Sequence, residues 1–398
     1  MQKLSQPDNI LPRNLIRAAR IVTMVPEQPL LSDGALLTQT TAAGDRIIAV
    51  GNYHSLKNER YQKLVDLGPV TIGPGLINAH THLELSHLAG RTIAGQGFVA
   101  WLKSLVPHLN IPPRDNDLLH ALAGMRLSGT VFAADMADRH AARLETFLEK
   151  NDFAHWLMIQ HFGFAAPDSK GGMTATTAEK LNPELAVSKN FCRAGHAFYS
   201  TAATTLQAAK AWDRRQHRPF ALHLAESQGE SELLSNGRGQ LADFFREAGI
   251  LPPEFQAPGC SPVAFADQLK LLDKMTLAIH CVELTQSDIE ILARRRVNVC
   301  LCPRSNAFIG VGRAPFAKML QAKINLCLGT DSLTSNHDLN LWHELEFLQH
   351  NVKTNLNLQT SLAMLTRNPA QALALNHDYG TLEPGKIALW SVIPAQFL

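Results

Sequence analysis

The sequence predicts an α/β protein: a (β/α)8 barrel of the TIM type, with a small composite β-sandwich domain formed by both chain ends. Three observations carry this. Eight short apolar runs between Leu76 and Asp331 alternate with helical segments. The first seventy residues read instead as short strands joined directly by turns. After the last helical stretch, the tail returns to a turn and a strand. A chain of 398 residues exceeds what one simple core usually holds, and eight β/α units need about 250 residues plus insertions. The expected division is residues 1–70 and 373–398 for the sandwich, with 71–372 as the (β/α)8 barrel between them.

In order along the chain, IRAARIVTM, GALLTQT, DRIIAVG and LVDLGPVTI are short strands set off by Gly, Asp, Asn or Pro turns. The barrel strands are LINAHTH, TVFAADM, AHWLMIQHF, RAGHAFYS, FALHLAE, LAIHCVE, VNVCLCP and INLCLGTD. Of the helices between them, TQSDIEILARRR offers Ser287-x-x-Glu290 as a capping box, and QLADFFREAGI runs into a glycine stop. The helical SLAMLTRNPAQALAL precedes the tail GTLEPGKIALWSVI, which returns to the N-terminal strands.

Composition narrows the function. Hydrophobic residues make up 45% and charged residues 18%, the balance of a compact soluble enzyme. The net charge of +2, without a basic run, gives neither nucleic acid nor an anionic membrane a footing. No apolar stretch approaches the roughly 20 residues of a membrane span. The opening MQKLSQPDNILPRN does not resemble a signal peptide. Cys192, Cys260, Cys281, Cys300, Cys302 and Cys327 are scattered, as expected of free thiols in a reducing cytoplasm. Cys300-x-Cys302 has no second pair to complete a metal site. A small-molecule partner is what remains, and a homo-oligomer is compatible with the sequence.

The chemistry lies at the strand ends. In a strand, residues i and i+2 share a face, so His80 and His82 of NAHTHLE can grip one cation. His223 in FALHLAES supplies a third imidazole and Asp331 in LCLGTDS a carboxylate, a set suited to Zn2+ with a position open for water. A metal lowers the pKa of such a water toward neutrality. Singly, each residue has a plainer explanation: a surface pair, a core histidine, a helix N-cap. All four falling at the carboxyl ends of strands, where barrel enzymes carry their sites, makes the joint reading the stronger one. Glu226, three residues after His223, is placed to carry a proton between water and a ring nitrogen. His280 in AIHCVEL is either a further ligand or a neutral base that orients the water.

GLINAHTHLELS, HLAES, IHCVEL, CPRSNAFIGVG and GTDSLTSNHDLNLWHEL together resemble the amidohydrolase superfamily, in its aminohydrolase and chlorohydrolase branch. The similarity runs from about residue 15 to 390. It implies one divalent metal, Zn2+ or Fe2+, on His80, His82, His223 and Asp331. It also implies Glu226, His280 and Asp331 as the proton-handling groups, and His196 as a contact to substrate. Two departures stand out. No lysine ends the fourth barrel strand, Lys189 preceding it and Lys210 following well after, so a single metal is expected. The closing Gly385-Lys386-Ile387-Ala388 is followed by Leu389 where the branch has aspartate.

The loop LELSHLAGRTIAGQGFVAWLKSLVPHL sets specificity in this reading. Glu84 would accept hydrogen bonds from ring N–H or amino groups, and Trp101 would lid a heterocycle or simply pack its helix. Ser86, Arg91, Phe98 and Leu102 are the other residues it offers. His-x-His-x-Glu-x-Ser followed by Phe-x-x-Trp-Leu resembles aminodeoxyfutalosine deaminases more than guanine deaminases. The expected activity is hydrolytic deamination of a 6-aminopurine-type heterocycle, a C–N bond hydrolysis outside peptides. Chloride displacement or cyclic amidine or amide opening by the same machinery is the alternative enzyme reading. An inactive small-molecule-binding homologue is the non-enzyme one, but such a protein is expected to have lost a ligand or Glu226. Small zinc deaminases built on Pro-Cys-x-x-Cys are excluded, because Cys302-Pro303-Arg304-Ser305 has the wrong order.

Overall fold

The computed structural model describes residues 11–42, 44–164, 179–180, 182–351 and 356–398. The first ten residues, part of the opening read above for a signal peptide, lie outside them. Two compact units divide the chain: Met1–Gly75 with Asn376–Leu398, and Leu76–Leu375. The first boundary falls after Gly75 because Thr71–Pro74 is a strand of the outer unit. Among the described residues, no helix is long and apolar enough to cross a membrane.

In the unit made by the chain ends, β1 (Arg13–Val22), β2 (Leu30–Thr41) and β3 (Gly44–Asn52) form an antiparallel meander. The run LVDLGPVTI yields two strands, β4 (Lys63–Asp66) and β5 (Thr71–Pro74), both parallel to β1. Gly68, at φ 75°, and Pro69, which has no N–H to give, divide them. The C-terminal strand Trp390–Val392 pairs antiparallel with β5, so both chain ends share one six-stranded mixed sheet. Neighbours Leu15 and Ile16 point to opposite faces and anchor separate apolar clusters.

The second unit carries eight parallel strands in sequence order: β6 (Leu76–Thr81), β7 (Thr130–Ala137), β8 (Ala154–His161), β9 (Phe191–Gly195), β10 (Phe220–Leu224), β11 (Thr276–His280), β12 (Asn298–Leu301) and β13 (Asn325–Leu328). A parallel bridge between Thr81 and Asp331 closes the ring, and the N–H groups of Thr330 and Asp331 both donate to the His80 carbonyl. Asn78 clasps the same seam, donating to Thr330 Oγ1 at 2.7 Å and accepting from Thr330 N at 3.1 Å. Nearly every strand residue is buried, which is why these strands read as continuous apolar runs rather than alternating ones.

Two local expectations are corrected. The helix Gln286–Arg295 starts at an N-cap one turn before Glu290, and its capping box is Thr285 with Asp288, not Ser287 with Glu290. Thr285 has the extended backbone a cap requires, whereas Ser287 already lies within the helix. The run RAGHAFYS is strand only through Gly195. A Cβ on Gly195 would meet Leu206 at 2.5 Å and Leu222 at 2.8 Å, so β9 packs tightly there and the chain turns into a loop at His196.

Candidate active site

The sequence-predicted residues converge on one end of the barrel. His80 lies within β6 and His82 one residue past its end; His223 is in β10, His280 ends β11, and Asp331 lies three residues beyond β13. Ring centroids of His80 and His82 are 4.8 Å apart, His80 and His223 5.1 Å, and His82 and His223 5.6 Å. Asp331 Oδ1 sits 3.5 Å from His80 Nε2 and 3.6 Å from His82 Nε2. Two sets, His80–His82–His223 and His80–His280–Asp331, bring their ligand atoms close enough to share one ion. No cysteine takes part in such a set among the described residues.

The surroundings fix these side chains. Asp331 Oδ2 accepts from Ser305 Oγ at 2.6 Å and Ser335 Oγ at 3.0 Å, while Oδ1 accepts from Ser332 N at 2.8 Å. His223 Nδ1 is 2.9 Å from the His196 carbonyl, and His280 Nδ1 is 3.0 Å from Asn306 Oδ1. Such outer bonds orient an imidazole and select its tautomer. Ala225 (φ 52°), His280 (φ 71°) and Asp331 (φ 56°) hold left-handed backbones unusual for residues with a Cβ. The Ala225 carbonyl accepts from the N–H groups of Val282 and Glu283, which pins the turn before Glu226.

Burial governs the electrostatics. It lowers His82 to about 3 and His280 to about 4, so both imidazoles are neutral at physiological pH, the form that binds metal. Burial opposes ionisation of Asp331, but hydrogen bonding and charge from His80, with His82 and His280, hold its carboxyl well below the usual range. Burial pushes Glu226 the other way, well above that range, with Asp331 and Glu230 adding like charge. Glu226 Oε1 stands 3.5 Å from His280 Nε2, and Tyr199 donates to its Oε2 at 3.4 Å.

A cavity of about 380 Å³ opens onto this group. Its inner end is His82, His223, Glu226, His280 and Asp331, and one wall is apolar, with Trp101, Leu102, Leu105, Val106, Phe162 and Ile250. Trp101 lines the cavity, and its Nε1 donates to the Thr334 carbonyl at 3.0 Å, tying the helix Phe98–Leu105 to the loop after β13. His196 also lines the cavity, its ring 4.4 Å from Phe162. Glu84 lines it too, one oxygen accepting from Asp138 N at 3.0 Å. Ser86 and Arg91 do not line it. Lys189 is exposed and Lys210 is bonded to Asp273 and Thr276, so neither lysine reaches the site. Sequence reading missed Gln160, Phe162 and Tyr199. Gln160 and Phe162 flank the carboxyl end of β8, so the strand-end rule reaches them, but nothing local marks them as chemical.

Residues 71–396 match the Amidohydrolase family. The chain belongs to that family. A 5-methylthioadenosine/S-adenosylhomocysteine deaminase of Moorella thermoacetica is 30% identical over 353 residues, which cover 82% of this amidohydrolase and 73% of that protein. Among solved structures, an aminofutalosine deaminase of Helicobacter pylori in complex with methylthio-coformycin superposes with a TM-score of 0.82 at 20% identity, covering 95% of this chain and 91% of that one. An adenosine deaminase of Xanthomonas campestris with bound zinc gives 0.78 at 23%, covering 96% and 84%. At these identities the two structures show the fold of this amidohydrolase.

Proposed function

We propose that this amidohydrolase deaminates an adenine-type 6-aminopurine by adding water to the carbon that bears the exocyclic amine. The observation that carries the reading is the meeting of Glu226 and His280 at the buried end of an open cavity, beside three imidazoles and a carboxylate. The names of its relatives support the same reaction class.

The donor set fits a divalent ion. His80 Nδ1 is buried without a protein hydrogen-bond partner, and Nε2 faces Asp331 Oδ1 at 3.5 Å, an arrangement that a shared ion would satisfy. His80, His82, His223 and Asp331 would hold one ion, Zn2+ in our reading, with Fe2+ as the alternative. Bound there, it supplies Lewis acidity and a water acidified toward neutral pH.

The chain's own groups do the rest. Asp331, fixed by Ser305 and Ser335, accepts a proton from the attacking water. His280, held through Nδ1 by Asn306, orients that water with Nε2. Glu226 delivers a proton to the ring nitrogen next to the attacked carbon. The amine then takes the proton held by Asp331, the hydroxyl proton passes to Glu226, the C–N bond breaks and ammonia leaves, which restores both carboxyls. Trp101 and His196 flank the heterocycle, and Glu84 accepts a hydrogen bond from the substrate. The apolar wall suits an apolar group at the sugar 5′ position, which admits aminodeoxyfutalosine and 5-methylthioadenosine alike. Six free cysteines, five of them buried, support a reducing compartment, the cytoplasm.

The test is ammonia release by metal-quantified enzyme from aminodeoxyfutalosine, 5-methylthioadenosine, adenosine, guanine and aminotriazines. Selective release from an adenine-type compound is expected. Turnover of a chlorotriazine or a cyclic amide alone would move the activity to the chlorohydrolase or cyclic-amidase reading.

A further inference from the structure

Glu226 is mounted on an unusual turn. The chain leaves β10 at Leu224, passes through Ala225 at φ 52° and places Glu226 at the buried end of the cavity. A left-handed residue with a Cβ persists only where its surroundings hold it. On one side the Ala225 carbonyl accepts from Val282 N and Glu283 N. On the other side the holder is a carboxyl. Glu230 Oε2 accepts from Glu226 N at 2.9 Å, and the Ala225 N–H donates to the same carboxyl group.

Helix capping does not account for that carboxyl. Ser227 is the N-cap of the helix Gln228–Asn236, and its Oγ accepts from Glu230 N. Glu230 thus stands three residues after the cap, where a capping box would send its side chain back to the Ser227 N–H. It reaches instead to the two residues before the cap. Glu230 is fully buried, and burial pushes it up to about 7 against the pull of the two N–H groups. Burying a carboxyl opposes folding. What this one secures is the turn that carries Glu226.

Three neighbours then fix Glu226, each from a different segment. Tyr199 and His280 meet its side chain, at 3.4 Å on Oε2 and 3.5 Å on Oε1. Glu230 holds its backbone, and so sets the point from which the side chain starts. A shift there moves the whole carboxyl, and about 1 Å of misplacement can cost on the order of 100-fold in rate. We infer that Glu230 is a positioning residue for the reaction: by holding the N–H groups of Ala225 and Glu226, it aims the Glu226 carboxyl at the substrate ring nitrogen. This rests on the proton-delivery role of Glu226 in the deaminase reading above.

The experiment measures kcat, KM and metal content for Glu230→Leu and Glu230→Gln, each made in wild type and in Glu226→Gln. The substrate is 5-methylthioadenosine or aminodeoxyfutalosine, whichever wild type turns over faster. Glu230→Leu should lower kcat roughly 10- to 100-fold, with KM within about threefold and metal content unchanged. Glu230→Gln keeps an oxygen that accepts, and should recover most of that loss. In the Glu226→Gln background, Glu230→Leu should cost less than about threefold, because the group it aims no longer carries a transferable proton. An equal fold loss in both backgrounds overturns the inference and leaves the deaminase intact. So does an unchanged kcat in Glu230→Leu, or a loss confined to KM or metal content. Where Glu230→Leu does not fold, Glu230→Asp decides, since it keeps the charge and draws the oxygens back by one methylene; wild-type kcat in that variant overturns the inference. Failure of wild type to release ammonia from any adenine-type compound sinks the deaminase reading and this inference with it.

Discussion

Glu226 Oε1 and His280 Nε2 face each other at 3.5 Å, both buried, from the loop after β10 and from the last residue of the adjacent strand β11. Neither residue has a structural partner that explains this meeting. Tyr199 and Asn306 hold their far sides and leave the facing atoms to the cavity. Glu226→Gln keeps shape and volume while removing the transferable proton. The variant should retain one metal per chain and lose on the order of 10²–10⁴ in kcat. Elemental analysis and initial rates on the same sample check this, and full activity would remove Glu226 from the mechanism.

His80→Ala should abolish stoichiometric metal, because His80 belongs to both ligand groupings. Inductively coupled plasma analysis of the purified variant reads it directly. A full equivalent of metal would sink the ligand assignment.

Gly329 shows how little room the site leaves. A Cβ there would lie 2.7 Å from Cys300 Sγ, 2.8 Å from His80 Cβ and 2.8 Å from the His80 carbonyl oxygen. Gly329→Ala is therefore expected to destabilise the fold by roughly 1–3 kcal/mol and to weaken metal binding through displacement of His80. Thermal unfolding and metal titration should move together; unchanged metal affinity in the destabilised variant would show that His80 is not displaced.

Stability should be highest at mildly acidic pH, where two opposing linkages overlap. Burial, opposed by hydrogen bonds from Arg304 N and Asn336, pushes Glu344 up to about 8 from 4.5. Between those values the folded state binds more protons than the unfolded chain, so stability falls as pH rises through the window. Burial, then the Arg193 charge, lowers His161 to about 4 from 6.5. Its contribution has the opposite sense: it is present above 6.5 and lost as pH falls toward 4. Melting temperatures from pH 4 to 9 should rise and then decline. Glu344→Gln should reduce the decline above pH 6.5 and steepen the rise between 4.5 and 6.5, where its window overlaps that of His161; curves that superimpose would contradict the assignment.

Trp101→Phe keeps an aromatic face but removes the bond to the Thr334 carbonyl. A bond of this kind contributes about 1 kcal/mol, so KM should rise several-fold as the helix Phe98–Leu105 loosens over the cavity, with metal content unchanged. An unaltered KM would confine Trp101 to packing.

Much of the molecule was legible in one dimension. His80 and His82 announce themselves because strand geometry puts i and i+2 on one face, and eight apolar runs with helices between them leave few folds open. The capping box of Gln286–Arg295 was misplaced because Thr285/Asp288 and Ser287/Glu290 are equivalent by pattern, and only backbone conformation tells a cap from a first turn. Ser305 and Asn306 were visible as polar residues after a strand, yet their partners Asp331 and His280 come from other strands. Gln160 lies where the strand-end rule reaches, but nothing local in the sequence marks it as a cavity residue.

The sequence by itself determined the barrel, the strand ends that bear the chemistry, and the kind of ligand set they carry, because these follow from local periodicity and residue type. Tertiary structure alone decided that the ring closes between Thr81 and Asp331, 250 residues apart. That closure brings the Asp331 carboxylate within 3.6 Å of both imidazoles of the His-x-His pair. Both are properties of packing between distant segments, where hydrogen-bond satisfaction is settled only once every strand is in place.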